Sequence, residues 1–399
     1  MNYTYFLNPQ VTQVPPSGIR RFFDLASTMK DTISLGVGEP DFVTPYTIRD
    51  AAVNAILDGG TQYTANRGLL ELRREIALYL SSRFGTEYNP DTEILVTIGA
   101  SEAIDATMRV LICPGDEVLI PDPSYVSYSP SVRFAYGVPV PVVTREENGF
   151  RLMPEDVEKA ITPRTKLILL PYPNNPTGGI MEKEDLLKIA DIVRRHDLMV
   201  ISDEIYAELT YGGKTHVSFA SLPGMWERTM TINGFSKAFA MTGWRVGYVC
   251  GPAEIISEIN KIHQYGILCA SRMSQEAAVA ALKEGREKNY ADVRHMRDSY
   301  DRRRRLLVEG FRNMGLSCFE PLGAFYVFPS IRVSGLDSEM FCQRLLMEQH
   351  IAAVPGTAFG VSGEGFIRCS YATALEKLSK ALQGMERFLR SLPEHAEEH

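Results

Sequence analysis

Four polar residues of this chain each come at or directly after the end of an apolar run with the composition of a β-strand. They are Lys237 after TMTINGFS, Asp203 at the end of LMVISD, Asn175 after KLILLPYPN and Ser101 after EILVTIGA. Lys237 has no acidic residue between positions 232 and 248. A lysine that lacks an acidic neighbour and is partly removed from water loses its proton more readily, and a neutral amine forms a Schiff base with an aldehyde. The segment therefore predicts a Schiff-base lysine.

The other groups suit the remaining parts of one ligand. Asp203 could hold a protonated ring nitrogen, while the free amides of a helix that begins near Gly99, with a serine and an arginine, suit a phosphate. Pyridoxal 5′-phosphate combines an aldehyde, a ring nitrogen and a phosphate, so it fits the whole set. Taken singly, each feature has an ordinary explanation: an N-cap at Asp203, a turn at NNPTGG, a loop at GAS or a surface lysine at position 237. Four such features at strand ends favour one site.

The elements that must position these groups alternate between strands and helices. Strand-like runs are EILVTI, DEVLIP, VPVPVV, TKLILL, LMVISD, TMTIN and RVGYVC, with helical segments such as KEDLLKIADIVRRH between them. This pattern predicts an α/β domain with a mostly parallel sheet, and ligands of such sheets lie beyond the carboxyl ends of the strands.

A long helix is predicted over about 288–314, ending at Gly315. Its apolar stripe comprises Val293, Met296, Tyr300, Leu307, Phe311 and Met314. The segments GAFYVFPS and GFIRCSYA that follow have a β-rich pattern. We therefore expect a second, smaller domain there, joined by the N-terminal segment.

Composition restricts the classes of function. The chain has 399 residues and a net charge of -7, with 45% apolar residues. It offers no basic surface to nucleic acid, and no apolar run approaches the roughly 18–20 residues of a membrane span. The first residues lack the order of a signal peptide, and the six scattered cysteines have no metal-ligand spacing. We expect a cytoplasmic protein with reduced thiols, no metal, and neither nucleic acid nor membrane as a partner.

The chain resembles the class I/II aminotransferases of fold type I, which use pyridoxal 5′-phosphate. The resemblance rests on SKAFAMTGWRVGY, NNPTGG and SDEIYAEL in the family's order, and on GVGEPDF, TQYTANRGLLELR, GASEAI, GAFYVFP, VPGTAFG and FIRCSYA. It covers nearly the whole chain. It implies a large cofactor-binding domain of residues 45–290, with a mostly parallel seven-stranded sheet flanked by helices. Residues 1–44 and 291–399 would form a smaller α+β domain with an N-terminal segment that covers the substrate.

The resemblance also implies a role for each matching residue around the cofactor ring. Lys237 would bind the aldehyde carbon and move the proton during catalysis. Asp203 would keep the ring nitrogen protonated, and Tyr206 and Asn175 would hydrogen-bond the phenolic oxygen, O3′. Tyr125, from PSYVSY, would stack on the ring.

A second group would hold the two anions of the bound state. By the same resemblance, the phosphate would be held by Ala100, Ser101, Ser236 and Arg245, and by Tyr63 reaching across the interface of a homodimer with shared active sites. The substrate α-carboxylate would be bound by Arg368 in a bidentate fork, with Asn175 and the backbone of Gly38. On the residues alone, the ordinary explanation is favoured, since an arginine on a half-exposed strand such as GFIRCSYA is usually solvated.

The implied reaction is the transfer of an amino group from an L-amino acid to a 2-oxo acid, expected to be 2-oxoglutarate, by a ping-pong mechanism. LPYPNNPTG, HQYGILCAS and PSGIRRF are most similar to N-acetyl-L,L-diaminopimelate aminotransferases; aromatic and aspartate aminotransferases are the alternatives. Arg20, Arg21 and Arg272 are candidate partners for a distal carboxylate.

Three rival functions share part of the pattern. Carbon–sulfur lyases have the same lysine and aspartate, but AMTGWRVGY favours the aminotransferases. A ligand sensor would need a DNA-binding module, and the few dozen non-basic residues before the fold are not expected to form one. A Schiff-base aldolase has no use for Asp203 or the phosphate set.

Overall fold

A seven-stranded sheet lies at the centre of the protein in the computed structural model, which describes residues 1, 3–16, 18, 29 and 31–392. Its strands are β2 (Ile94–Thr97), β3 (Glu117–Asp122), β4 (Val138–Val143), β5 (Thr165–Leu170), β6 (Met199–Asp203), β7 (Thr229–Gly234) and β8 (Gly247–Cys250). Their order is β2-β8-β7-β6-β5-β3-β4, and only β8 is antiparallel to its neighbours. The predicted α/β architecture with a mostly parallel sheet is confirmed.

Burial along the strands follows from their position in the sheet. The strands β2, β3, β7 and β8 are buried along their whole length, as near-continuous apolar runs in a sheet covered on both faces should be. The exception is β4, which is largely accessible. It contains Pro139 and Pro141, which lack a backbone N–H and are tolerated at a sheet edge. The run VPVPVV is thus an edge strand.

Helices cover the sheet. They are α1 (Pro9–Thr12), α2 (Tyr46–Leu57), α3 (Leu70–Phe84), α4 (Gly99–Leu111), α5 (Tyr128–Phe134), α6 (Pro154–Ala160), α7 (Lys183–Arg195), α8 (Ala253–Gly266) and α9 (Arg272–Glu287). In α7, Leu186, Ile189 and Val193 are buried at helical spacing, so one apolar stripe faces the core. Acidic residues in its first turn and arginines in its last also complement the helix dipole.

A smaller unit follows along the chain. It contains α10 (Ala291–Asn313), α11 (Ser338–Gln349), α12 (Leu375–Ser391), β1 (Ile33–Ser34), β9 (Tyr326–Val327), β10 (Ile351–Ala352), β11 (Val354–Pro355) and β12 (Ile367–Ser370). The strand β12 pairs with β9 and β11, and β1 pairs with β10, which brings the N-terminal segment into this unit. Short 3₁₀ helices lie at Thr4–Phe6, Glu146–Asn148, Phe219–Ser221, Trp226–Arg228, Arg332–Ser334, Gly356–Phe359 and Val361–Gly363.

Two expectations for this unit need correction. The long helix α10 begins three residues later than expected, because Tyr290 has a left-handed conformation, with φ 53°, and separates it from α9. The segment after α10 is also less β-rich than its pattern suggests. Its strands have two to four residues, while α11 and α12 have 12 and 17.

The carboxyl ends of β2, β3, β5, β6 and β7 meet at one edge of the sheet, since these strands run in the same direction. The polar residues singled out in the sequence follow these ends. Among the described residues, no helix combines the length and apolar character that a membrane span requires.

Candidate active site

A cavity of about 800 Å³ lies at this edge, between the sheet and the smaller unit. Apart from Tyr63, every residue assigned to the site from the sequence lines it. These residues are Gly38, Ala100, Ser101, Tyr125, Asn175, Asp203, Tyr206, Ser236, Lys237, Arg245 and Arg368. The fold thus brings together groups that are up to 330 positions apart in the chain.

Lys237 follows β7 and has no acidic partner within hydrogen-bond reach among the described residues. Its Nζ donates to the backbone oxygen of Gly38 over 2.7 Å. Burial lowers the pKa of Lys237 to about 8, aided by Arg368 and Arg245 and opposed by Glu39. The side chain is therefore a neutral amine in a much larger fraction of molecules at neutral pH than an exposed lysine is.

Asp203 ends β6 and is 5% exposed. Its Oδ2 accepts a hydrogen bond from the hydroxyl of Tyr128 over 2.8 Å, and its Oδ1 accepts one from the amide of Ile205 over 3.1 Å. Burial raises the pKa of Asp203 to about 6, although both hydrogen bonds favour the charged form. Asp203 is thus a buried carboxylate at neutral pH, which suits a cationic partner.

Tyr128, the partner of Asp203, was not identified as a site residue from the sequence. PSYVSY contains two tyrosines three positions apart, and only the first, Tyr125, matched a known role. Tyr128 is the first residue of α5, so the three-residue spacing was the available signal. Both tyrosines line the cavity.

Tyr206 and Tyr326 form a pair of buried phenols. Their hydroxyl oxygens are 3.0 Å apart. Burial raises the pKa of both groups, so each keeps its proton at neutral pH. Tyr326 comes from GAFYVFP, a motif that was matched without a role for its tyrosine.

Arg368 lies on β12 and is 2% exposed, so it is not a solvated arginine on a half-exposed strand. Its Nη1 donates to Oδ1 of Asn175 over 2.9 Å, and its Nη2 donates to the backbone oxygen of Gly36 over 2.5 Å. The guanidinium carbon lies 4.4 Å from the ring centre of Tyr326 and 4.7 Å from that of Phe359. The backbone contact to Arg368 is therefore made by Gly36, while Gly38 contacts Lys237.

No acidic residue compensates this buried arginine. Arg368 forms no ion pair within the described part of the chain, and its Nε has no hydrogen-bond partner there. Burial lowers the pKa of Arg368, which reflects the unfavourable removal of its charge from water. A buried cation without an anion is costly, so the arrangement suits an anionic ligand.

A second arrangement suited to an anion lies where α4 begins. Gly99 starts the helix with φ +72°, and the first amides of a helix have no partners within it. Gly247 of β8 packs against this turn so closely that a Cβ there would lie 2.5 Å from the amide nitrogen of Ala100. Ser236 and Arg245 also line this side of the cavity, and Nη1 of Arg245 donates to the backbone of Thr242 over 2.9 Å.

The segment NNPTGG is both a turn and part of the site. Asn174 closes the turn, because its Oδ1 accepts from the amide and the hydroxyl of Thr177 at 3.3 and 3.1 Å. Asn175, the next residue, points to Arg368 instead. Asn174 therefore has the role of a turn residue, while Asn175 belongs to the candidate site.

The remaining candidates lie elsewhere. Tyr63 is 80% exposed and does not line the cavity of its own chain. Arg272 lies beside the same loop, where its Nη1 donates to Gln62 over 3.1 Å. Arg20 and Arg21 lie outside the described residues.

Comparison with known proteins gives a consistent result. The family model for aminotransferase class I and II matches residues 30–384. The chain is 52% identical to the "Putative aminotransferase YugH" of Bacillus subtilis (strain 168), over 97% of this chain and 99% of that protein. It is 47% identical to an aspartate aminotransferase of Pyrococcus abyssi, over 96% and 98%. The crystal structure of an aromatic aminotransferase from Pyrococcus horikoshii OT3 superposes with a TM-score of 0.88 at 47% identity, over 93% and 98%.

The fold and these comparisons define the class of protein. The chain belongs to the aminotransferase class I and II family, whose members work with pyridoxal 5′-phosphate. It is an aminotransferase, an enzyme that moves an amino group from an amino acid to a 2-oxo acid. Its relatives are named as aminotransferases of aspartate, of aromatic amino acids and, with the word probable, of N-acetyl-LL-diaminopimelate.

Proposed function

We propose that this aminotransferase binds pyridoxal 5′-phosphate in the cavity and an amino acid beside it, with Lys237, Asp203 and Arg368 as the central groups. The observation that carries the proposal is Arg368. It is a buried guanidinium with an unpaired Nε and no acidic partner among the described residues. A substrate α-carboxylate supplies the missing anion, and the planar fork of arginine binds a carboxylate through two hydrogen bonds.

The cavity also fits the three reactive parts of the cofactor. The amine of Lys237, with a pKa of about 8, suits the aldehyde. Buried Asp203 suits the ring nitrogen, and Ala100 and Ser101 at the start of α4 line the cavity, where helix amides suit a phosphate. The aromatic ring of Tyr125 lines the same cavity and is proposed to stack on the cofactor.

Bound pyridoxal 5′-phosphate supplies an aldehyde for the amino group and a ring that withdraws electrons from the substrate. In our proposal Lys237 would accept the proton that the substrate Cα loses and would deliver it to the former aldehyde carbon of the cofactor. Asp203 holds the proton on the ring nitrogen. Tyr206 and Asn175 donate to O3′, and Ala100, Ser101, Ser236 and Arg245 bind the phosphate.

Two donor classes are proposed. The sequence resemblance favours N-acetyl-L,L-diaminopimelate, which carries a second carboxylate. The described lining favours an aromatic donor, because its cations are Lys237, Arg245 and Arg368, and each of these already has a proposed role. A distal carboxylate would therefore need a cation from Arg20, Arg21 or the neighbouring subunit.

We also propose a homodimer with shared active sites. The supporting observation is that Tyr63 is 80% exposed, and that Leu57 and Tyr265 are further exposed apolar side chains, at 77% and 88%. Residues 45–290 would form the large domain, and residues 1–44 and 291–399 the small one. The six cysteines are free thiols, which supports a cytoplasmic location.

The test is a panel of amino donors with 2-oxoglutarate, scored by the glutamate formed. N-acetyl-L,L-diaminopimelate, aspartate and phenylalanine represent the three donor types. Formation of glutamate from one class well above the others would identify the donor. An amino acid with a carbon–sulfur bond, such as cystathionine, tests the alternative: release of ammonia and a thiol from it, with no 2-oxo acid added, would point to carbon–sulfur lyase chemistry.

A further inference from the structure

Tyr326 contacts three parts of the site at once. Its hydroxyl oxygen is 3.0 Å from that of Tyr206, and its ring lies 4.4 Å from the guanidinium of Arg368. A Cβ on Gly38 would lie 3.0 Å from its hydroxyl oxygen. We infer that Tyr326 is a positioning residue. Its hydroxyl fixes the direction in which Tyr206 donates its proton, and its ring restricts the orientation of the Arg368 guanidinium. The inference rests on the roles proposed above for Tyr206 and Arg368.

The hydroxyl contact has a preferred direction. Both phenols are protonated, so each has one proton to donate. If Tyr206 is to donate its proton to O3′, its oxygen must accept the proton of Tyr326. A phenol that accepts one hydrogen bond is a stronger donor of the next, because the two bonds polarise each other. Tyr326 therefore strengthens the donation from Tyr206.

The ring contact follows from the sheet register. Tyr326 of β9 pairs with Ser370 of β12, and Arg368 is two positions from Ser370, so Arg368 and Tyr326 are diagonal neighbours on one face. The guanidinium carbon lies 4.4 Å from the ring centre of Tyr326 and 4.7 Å from that of Phe359. These two ring contacts restrict the orientation of the guanidinium, while Asn175 accepts a hydrogen bond from its Nη1.

Gly38 shows how closely the segment of residues 36–38 approaches this tyrosine. A Cβ at position 38 would be at 3.0 Å from the Tyr326 hydroxyl, closer than ordinary contacts allow. The same segment accepts Lys237 through Gly38 and Arg368 through Gly36. Tyr326 thus lies against Tyr206, Arg368 and the backbone at Gly38 at the same time.

The test separates the hydroxyl from the ring in the cofactor-loaded enzyme. Tyr326→Phe keeps the ring and removes the hydroxyl. If Tyr206 is a weaker donor, O3′ would keep more negative charge. That charge would stabilise the proton that O3′ shares with the Lys237 nitrogen, so the pH midpoint of the visible absorbance should rise. We expect a rise of about one pH unit, the equivalent of one hydrogen bond, with KM for the best donor nearly unchanged.

Two further variants test the ring. Tyr326→Leu removes both functions, so the absorbance midpoint should rise and KM for the amino donor should increase about tenfold. Phe359→Leu removes only the second ring contact of Arg368, so KM should increase while the midpoint stays at the wild-type value. A purely structural role would not separate the two measurements in this way. If the Tyr326→Leu protein does not fold, Tyr326→Phe and Phe359→Leu still test the two functions one by one.

The outcomes distinguish this inference from the proposed function. A wild-type protein without visible absorbance from pyridoxal 5′-phosphate would overturn both. A wild-type enzyme with cofactor and turnover, combined with an unshifted midpoint in Tyr326→Phe, would overturn the positioning role alone. An unchanged KM in Phe359→Leu and Tyr326→Leu would likewise remove the ring from the inference.

Discussion

The hydroxyl of Tyr128 donates a hydrogen bond to Oδ2 of Asp203 over 2.8 Å, and both residues line the candidate active-site cavity. Tyr128 is the first residue of α5, and Asp203 is the last residue of β6, so the bond joins two elements that are 75 residues apart. It favours the charged carboxylate, while burial favours the neutral acid and raises the pKa of Asp203 to about 6.

Removing this donor should raise the pKa of Asp203 further, since the charged form loses a hydrogen bond. In Tyr128→Phe we expect the affinity of the cofactor-free enzyme for pyridoxal 5′-phosphate to fall off at a pH about one unit higher than in the wild type. Titration of cofactor binding against pH measures this midpoint. Tyr136→Phe, at a half-exposed tyrosine outside the cavity, is the matched control. Identical midpoints in Tyr128→Phe and the wild type would contradict the role given to the bond.

The rate at which Lys237 reacts with the aldehyde of the cofactor should depend on pH. Its pKa is about 8 before the cofactor binds, so the neutral amine becomes more abundant as pH rises and predominates above about 8. The rate should therefore rise through the neutral range and level off above this value. Borohydride treatment followed by peptide mapping should place the cofactor on Lys237, and Lys237→Ala should lose nearly all turnover. Lys166→Ala, at an exposed lysine paired with Asp116, is the control. Attachment at any other lysine would refute the assignment.

Much of this architecture could be predicted because buried parallel strands leave a strong signal. Each strand of the central sheet coincides with an apolar run, and the rule that ligands lie beyond the carboxyl ends then places Asp203 and Lys237 together. The edge position of β4 is also encoded in the sequence by its two prolines.

Other features depend on contacts that no local pattern contains. The ring of Tyr326 faces Arg368 because of the register between β9 and β12, and the segment FYVF alone does not specify that register. The same segment looked β-rich, yet only Tyr326 and Val327 pair as a strand, while Phe325 and Phe328 pack into two different hydrophobic clusters. Tertiary packing thus overrode the alternating pattern.

The proposed phosphate site depends on a close approach between two glycines, Gly247 and Gly99. A Cβ on Gly247 would lie 2.5 Å from the amide nitrogen of Ala100, an atom of the backbone that cannot rotate away. Gly247→Ala should therefore displace the start of α4 and weaken binding of pyridoxal 5′-phosphate about tenfold or more. Binding of pyridoxal, which lacks the phosphate, should change little. Gly243→Ala is the matched control, because no atom lies within 4 Å of a Cβ built there. Equal losses for both ligands would mean that the substitution acts on the whole fold.

The shared active site can be tested with hybrid dimers. A Lys237→Ala chain combined with a Tyr63→Phe chain should give a hybrid with one site that carries both substitutions and one that carries neither. The intact site should bind pyridoxal 5′-phosphate with wild-type affinity. If Tyr63 acted within its own chain, the only site with a lysine would instead show the weaker affinity of Tyr63→Phe. Sedimentation of a fully active monomer would also contradict the dimer.

Arg272 provides a test of donor specificity that depends on this dimer. It is the first residue of α9 and does not line the cavity of its own chain, but it hydrogen-bonds Gln62, the neighbour of Tyr63. If Tyr63 reaches the active site of the neighbouring subunit, Arg272 lies near that site as well. Its guanidinium can then bind the distal carboxylate of the amino donor. Such a charge-assisted contact stabilises the bound donor by about 1.5–3 kcal/mol.

We therefore expect Arg272→Ala to raise KM at least tenfold for donors with a second carboxylate and to leave KM for phenylalanine nearly unchanged. Steady-state kinetics with aspartate, N-acetyl-L,L-diaminopimelate and phenylalanine measure the difference. Arg390→Ala, at an exposed arginine of α12 that pairs with Glu386, is the control for a general effect of lost charge. Equal changes for both donor classes, or none for either, would exclude Arg272 from donor recognition. The aromatic donor would then be favoured unless Arg20 or Arg21 binds the second carboxylate, because the described lining of the cavity has no further cation to bind one.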